Sequence, residues 1–191
     1  MDHIVYIGIG SNLGDRLWNC RRAVELLAQY EAMKVVRVSP WYESEAIPVD
    51  GGERGPQPWF INGAIEIRTT LSASELLAAL QGIEREMGRE LPRSKGAPRT
   101  IDLDILLYGG AVINEVDLII PHPELAKRSF VLAPLCDIAP HAVEALSGHS
   151  VKQLLQNLEA GFRVQAHTDS NSRLCAVAHI AQAQGRCNAS R

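Results

Sequence analysis

From Ile101 to Tyr108 the chain reads Ile-Asp-Leu-Asp-Ile-Leu-Leu-Tyr, aliphatic residues alternating with carboxylates before the aliphatics take over. Alternation at period two with apolar, β-branched flanks specifies a strand. Successive strand side chains point to opposite faces, so Ile101, Leu103, Ile105 and Leu107 are expected on one face and Asp102 and Asp104 on the other. A sheet that buries one aliphatic row presents the two anions side by side, about 6.5–7 Å apart along the backbone. Hard divalent cations take oxygen ligands in such an arrangement, and magnesium carrying a polyphosphate is the favoured cargo. The same spacing also suits solvated charge on the wet face of an antiparallel sheet.

The preceding segment bears on that choice. Arg85, Arg89, Arg93, Lys95 and Arg99 deliver a run of bases directly to the paired acids. Arginine forks match phosphate oxygens while a metal takes the remaining charge, so the combination suggests a site for a cation and anionic oxygens together. A structural salt-bridge cluster is the competing reading.

Upstream, residues 4–9 read as a buried strand ending at Gly10-Ser11-Asn12-Leu13-Gly14-Asp15, after which Leu17, Val24, Leu27 and Ala28 recur at helical spacing. Residues 34–38 and 60–68 read as two further strands, joined by a Gly/Pro-rich loop over 46–58. Ser72-Ala73-Ser74-Glu75 is a capping box opening a helix whose Leu76, Leu77, Leu80, Ile83 and Met87 face the sheet before Gly88 ends it. With the Asp-bearing strand, the order is β-α-β-β-α-β. That order predicts an α+β fold: a ferredoxin-like sheet with helices packed on it in a three-layer α/β/α sandwich. Short elements follow at 129–138 and 151–158. Beyond Gly161 the composition turns to Ala, Gln, Ser and Asn, which predicts a folded unit over 1–160 and a loosely held tail over 161–191, with a helical piece near 175–184.

A chain of 191 residues suits one such domain and needs no disulfide or metal to fold. The net charge of -3 argues against a general nucleic-acid or anionic-membrane binder. Cys20, Cys136, Cys175 and Cys187 have neither redox nor zinc spacing and read as cytosolic thiols. The N-terminus enters a strand directly, without a leader pattern, and no apolar run is long enough to span a bilayer, so a cytoplasmic protein is expected.

Neither standard glycine-rich phosphate loop is present. Gly8-Ile9-Gly10 is followed by Leu13 where a dinucleotide fingerprint needs its third glycine, and there is no Gly-Lys-Ser/Thr, so Gly10 and Gly14 read as turn residues. A polyphosphate would have to be held by metal ions and side-chain cations, which returns to Asp102, Asp104 and the arginines. Gln81 and Glu84 lie three apart on one side of the second helix, where a solvated face is the plain reading. Pro121-His122-Pro123 holds an imidazole between two rigid residues; His3, His141, His149, His167 and His179 show no ligand spacing.

Taken in order, these motifs resemble a known family. Ala97-Pro98-Arg99-Thr100-Ile101-Asp102-Leu103-Asp104-Ile105-Leu106 is similar to the signature of the hydroxymethyl-dihydropterin pyrophosphokinases of folate biosynthesis. Ile9-Gly10-Ser11-Asn12-Leu13-Gly14, Phe60-Ile61-Asn62, Ile83-Glu84 with Gly88-Arg89, Pro121-His122-Pro123 and Arg128-Ser129-Phe130-Val131-Leu132 extend the match over residues 4–160. The resemblance implies transfer of diphosphate from ATP to the hydroxymethyl oxygen of the reduced pterin, releasing AMP. It implies that Asp102 and Asp104 bind two Mg2+ ions bridging the ATP phosphates, and that Arg89 and Arg99 contact those phosphates during transfer. It places Gln81, Glu84, His122 and Arg128 at ATP-binding positions. Ser44, Phe60, Asn62 and Phe130 fall at pterin-binding positions, with the amide of Asn62 reading the polar edge and the two rings stacking on the heterocycle.

Three places depart from that family. Gly96 stands where some members carry a tryptophan that helps close the site, the loop over 49–58 is longer and richer in glycine, and the tail has no counterpart. The expected partners are ATP and the reduced hydroxymethylpterin, with no nucleic acid, no membrane and a monomeric state. A metal-dependent nucleotide-sugar transferase also uses Asp-x-Asp but needs a second large substrate domain. A ferredoxin-like nucleotide- or RNA-binding module without catalysis is the other alternative, disfavoured by the acidic balance and by the lack of an aromatic RNA-binding motif.

Overall fold

The computed structural model describes residues 2–46, 57–89, 97–158 and 164–167. Its elements are β1 (His3–Ser11), α1 (Arg16–Gln29), β2 (Met33–Val38), β3 (Tyr42–Ser44), β4 (Phe60–Thr69), α2 (Ala73–Glu86), β5 (Asp102–Tyr108), β6 (Ile113–Asn114), β7 (Ile119–Ile120), a 3-10 turn (Leu125–Lys127), α3 (Ser129–Ile138), α4 (Val151–Asn157) and β8 (Val164–Ala166). β1 lies in the interior of the main sheet, paired antiparallel with β4 on one side and β5 on the other. β2 and β3 share the far edge of β4, also antiparallel. The core order β5-β1-β4-β2 is the expected ferredoxin-like arrangement.

Side-chain caps open α1, α2 and α4, whereas α3 begins at Arg128 without one. The Asp15 side chain accepts from the Trp18 N–H at 3.0 Å to start α1, and both halves of the Ser72/Glu75 capping box form at α2. A second capping box, Ser150 with Gln153, opens α4. α1 and α2 bury Cys20, Ala23, Val24, Leu27, Leu76, Leu80 and Ile83 against Val5, Ile7, Ile9, Ile65, Ile67, Leu103 and Ile105 of the sheet. On the opposite face Leu132, Leu135 and Ile138 of α3 and Val151 and Leu154 of α4 pack on Ala64, Leu106 and Leu107. The helices thus make the outer layers of the expected sandwich. Arg37 Nη1 donates to the Ile138 carbonyl at 2.7 Å and the Tyr42 hydroxyl to Asp137 at 2.6 Å, tying the end of α3 to the sheet. At Gly63 an added Cβ would stand 2.7 Å from the Trp41 ring, so that ring packs directly on the backbone of β4.

One expectation needs correction, and two short strands carry no signal in the sequence. Leu107 does not share a face with Leu103 and Ile105. The β1–β5 register shifts between Tyr6 and Ile7, whose partners are Leu107 and Ile105, and the extra residue sends both Leu106 and Leu107 to the α3/α4 side. β3 was not anticipated, being too short to show a period. Within the 161–191 segment the described residues form β8, which pairs with β3 from Tyr42↔Ala166 to Ser44↔Val164. Main-chain pairing with an open edge needs no side-chain pattern, so composition does not reveal it. The rest of that tail, including 175–184, lies outside the described residues, as do most of the 46–58 loop and Arg93, Lys95 and Gly96.

Candidate active site

Asp102 and Asp104 oppose Gly10 and Gly8 of β1. Directly opposed residues of neighbouring strands share a face, so the carboxylates have no side chain beside them on β1. Gly10 pairs on its other side with Asn62, which puts Asp102, Gly10 and Asn62 in one row across three strands. Two strand spacings set Asn62 about 9.5 Å from Asp102. The buried Asn62 amide donates from Nδ2 to the Ser44 hydroxyl at 2.8 Å. The Phe60 ring borders the same gap, 3.7 Å from where a Cβ at Gly10 would stand. Gly10 is therefore a strand residue that leaves room in the site, not a turn residue; Gly14, at φ 68°, is the turn. The signal was legible, since Gly8 and Gly10 repeat at the same period of two as the aspartates.

Both oxygens of Asp102 are engaged by arginine. Arg89 Nη1 donates to Oδ1 at 2.8 Å and Arg99 Nη1 to Oδ2 at 2.6 Å. Arg89 also bonds Glu84 Oε1, which accepts the Leu103 N–H at 2.8 Å and so links α2 to β5. The solvated-face reading holds for Gln81, which is exposed and makes no side-chain hydrogen bond among the described residues. It fails for Glu84, which is buried because the start of β5 lies over that side of α2.

This concentration of charge moves the proton equilibria. Burial, followed by the neighbouring charges of Asp102 and Glu84, pushes the Asp104 carboxyl up to about 7 despite the arginines. Burial likewise raises Glu84, against its bonds to Leu103 and Arg89. Burial opposes the charge on Arg89, but Asp102 and Glu84 together hold its pKa above the ordinary value. Asp104 is thus an anion at a cost, which a cation would relieve. Among the described residues no third His, Cys, Asp or Glu completes a protein cage. Two carboxylates on one sheet face suit Mg2+, which keeps waters and takes substrate phosphates as its remaining ligands.

His122 and Arg128 approach from the segment after β7. The His122 N–H donates to the Leu106 carbonyl at 3.0 Å, which sets the imidazole beside β5. Its Nδ1 accepts the Glu124 N–H at 3.1 Å, so in the neutral ring Nε2 carries the proton. Burial and then Arg128 lower its pKa, favouring that neutral donor form. The Arg128 guanidinium stands 5.9 Å from the centroid of the Phe130 ring, and its Nε is buried without a partner among the described residues. The structure thus gathers Asp102, Asp104, Arg89, Arg99 and Glu84 in one charged cluster, and Asn62, Ser44 and Phe60 in a neighbouring polar and aromatic gap. Sequence reasoning gave no role to Asn12, which bonds the backbone of Arg99.

Comparison with known proteins bears on this site. The family model for 7,8-dihydro-6-hydroxymethylpterin-pyrophosphokinase matches residues 6–140. A Bacillus subtilis 2-amino-4-hydroxy-6-hydroxymethyldihydropteridine pyrophosphokinase is 46% identical over 138 residues, covering 72% of this chain and 79% of that protein. A Synechocystis protein of the same name is 40% identical over 157 residues, covering 82% and 77%. An Arabidopsis thaliana mitochondrial folate synthesis bifunctional protein is 44% identical over 143 residues, 75% of this chain but 24% of that one. Among solved structures, wild-type Plasmodium falciparum HPPK-DHPS with SDX-DHP superposes at a TM-score of 0.63 with 17% identity, covering 82% of this chain. The chain spans 44% of that longer protein, and the likeness speaks for the fold alone.

Proposed function

Because the chain belongs to the 7,8-dihydro-6-hydroxymethylpterin-pyrophosphokinase family and has its activity in folate biosynthesis, we propose a role in that reaction for each side chain of the site. The reaction moves a diphosphate from ATP to the hydroxymethyl oxygen of 6-hydroxymethyl-7,8-dihydropterin and releases AMP. A new bond from that oxygen to the β-phosphorus replaces the bridge to the α-phosphate.

Asp102 and Asp104 would hold Mg2+, two ions in our reading, and the metal would supply charge screening for the triphosphate. Arg89 and Arg99 then turn from Asp102 to the phosphate oxygens, where their planar forks stabilise the charge that builds in transfer. Glu84 keeps Arg89 and the start of β5 in place. His122, through its Nε2 proton, and Arg128 bind ATP, with Gln81 at the rim. Asn62, oriented by Ser44, reads the pterin edge, and Phe60 and Phe130 stack on its faces. Burying the heterocycle while pairing its polar edge discriminates against rings lacking those groups.

The observation that carries this reading is the single row Asp102–Gly10–Asn62, which sets the phosphate and pterin ends of the site on one sheet face. The side chains given roles here all fall within residues 1–160, which supports a catalytic unit of that extent. Cys20 and Cys136 are free thiols, consistent with a cytoplasmic setting. Among the described residues no helix is long and apolar enough to cross a membrane.

The test is AMP release from ATP with and without the reduced hydroxymethylpterin, across a magnesium titration. Pterin-dependent AMP formation that disappears in Asp102→Ala and in Asp104→Ala is expected. Full turnover with normal magnesium dependence in either variant would overturn the metal assignment.

A further inference from the structure

The Arg99 main chain is held by a single residue 87 positions away. Asn12 Oδ1 accepts the Arg99 N–H at 2.7 Å, and the Asn12 N–H donates to the Arg99 carbonyl at 3.1 Å. One residue thus satisfies both main-chain polar groups of Arg99. Asn12 is itself 1% exposed. The turn that carries it is braced in its own right, because Asn19 of α1 donates from Nδ2 to the Leu13 carbonyl at 2.8 Å and to the Ser11 hydroxyl at 3.3 Å. The brace runs from a buried helix residue, through the β1–α1 turn, to the backbone that bears the guanidinium.

We infer that Asn12 is the positioning residue for Arg99 in diphosphate transfer; this rests on the role given to Arg99 above. In the structure Arg99 is steadied at both ends, by Asn12 at its backbone and by Asp102 at its guanidinium. Once a cation takes Asp102 and the guanidinium swings to phosphate, only the backbone end keeps its hold. An arginine side chain has several rotatable bonds, and its aim at a developing charge then depends on how firmly its Cα is fixed. Asn12 touches no reacting atom in this scheme. Its contribution reaches the reaction only through Arg99.

That restriction supplies the test. Single-turnover transfer rates and nucleotide and pterin affinities are measured for the wild type, Asn12→Ala, Arg99→Ala and the double variant, each checked by thermal melting. Asn12→Ala is expected to slow transfer about tenfold with ATP and pterin Kd changed by less than about threefold. In the Arg99→Ala background the same change is expected to have almost no further effect. A purely structural residue would cost the same factor in both backgrounds, and that result overturns the inference. If Asn12→Ala does not fold, Asn19→Ala, which loosens the turn without touching Arg99, carries the same cycle with a smaller expected factor. If Arg99→Ala itself transfers at the normal rate, the role assigned to Arg99 fails and the inference falls with it. That failure is distinguishable, because it appears without any change at Asn12.

Discussion

Replacing Gly10 with alanine probes the division of the site into a pterin end and a phosphate end. The three atoms nearest an added Cβ all belong to residues 60–62 of β4: Asn62 Oδ1 at 3.1 Å, Phe60 Cδ1 at 3.7 Å and the Ile61 carbonyl at 3.9 Å. The methyl therefore leans toward the pterin end. Ordinary contact begins near 3.4 Å, so the Asn62 oxygen must retreat by about 0.3 Å while Phe60 need not move. The amide cannot shift freely, because Nδ2 is tied to Ser44 Oγ at 2.8 Å. A rotation that relieves the oxygen misaims the amide proposed to read the heterocycle edge. Losing a single such hydrogen bond costs about 1–1.5 kcal/mol, or about five- to tenfold in pterin affinity. Nucleotide affinity should stay within about twofold, since the phosphate end is untouched. Stability should change little, because the lost freedom of the unfolded chain, worth about 0.4–1 kcal/mol, offsets the tight contact. Calorimetric titration of the pterin and of a nonhydrolysable ATP, beside thermal melts, reads all three. Unchanged pterin affinity, or equal losses for both ligands, would refute the reasoning.

Other perturbations test the charged cluster. Between pH 3.8, the ordinary value, and about 7, folded Asp104 holds a proton that the unfolded chain has released. Its contribution to stability is therefore present at low pH and lost as pH rises through that window. The melting temperature of Asp104→Asn minus that of the wild type should grow across the window without ligand, and a flat difference would remove the shifted carboxyl. Arg99→Ala should lower the single-turnover rate by about 10²–10³-fold while weakening ATP binding less, and Arg89→Lys should not restore normal rates because a point charge cannot span two phosphate oxygens. Rapid-quench kinetics beside nucleotide titration would separate these effects. Glu84→Ala should destabilise the fold by about 1–3 kcal/mol, by leaving the buried Leu103 N–H without its acceptor and Arg89 with Asp102 alone. A denaturant midpoint equal to wild type would count against that support role.

Local physics made much of this protein readable from its residues. The Ser72 capping box, the helical stripes and the period-two runs each depend on neighbours a few positions apart, so the four core strands, α1, α2 and the ferredoxin-like order followed from them. The Asp102/Asp104 pair was legible for the same reason, its spacing being enough to put both carboxylates on one face. Tertiary structure decided what depends on distant partners. The extra residue in β5 that turns Leu107 to the other face exists only against β1, and β8 exists only because β3 leaves an edge open. Glu84 looked like half of a polar pair with Gln81 until β5 covered one of them and left the other in water. Asn12 carries no local signal at all, since its partner is Arg99 and the two meet only when β1 and β5 lie side by side. Residue spacing specifies which way a side chain points, whereas burial and hydrogen-bond partners are settled by which strand or helix comes to lie beside it.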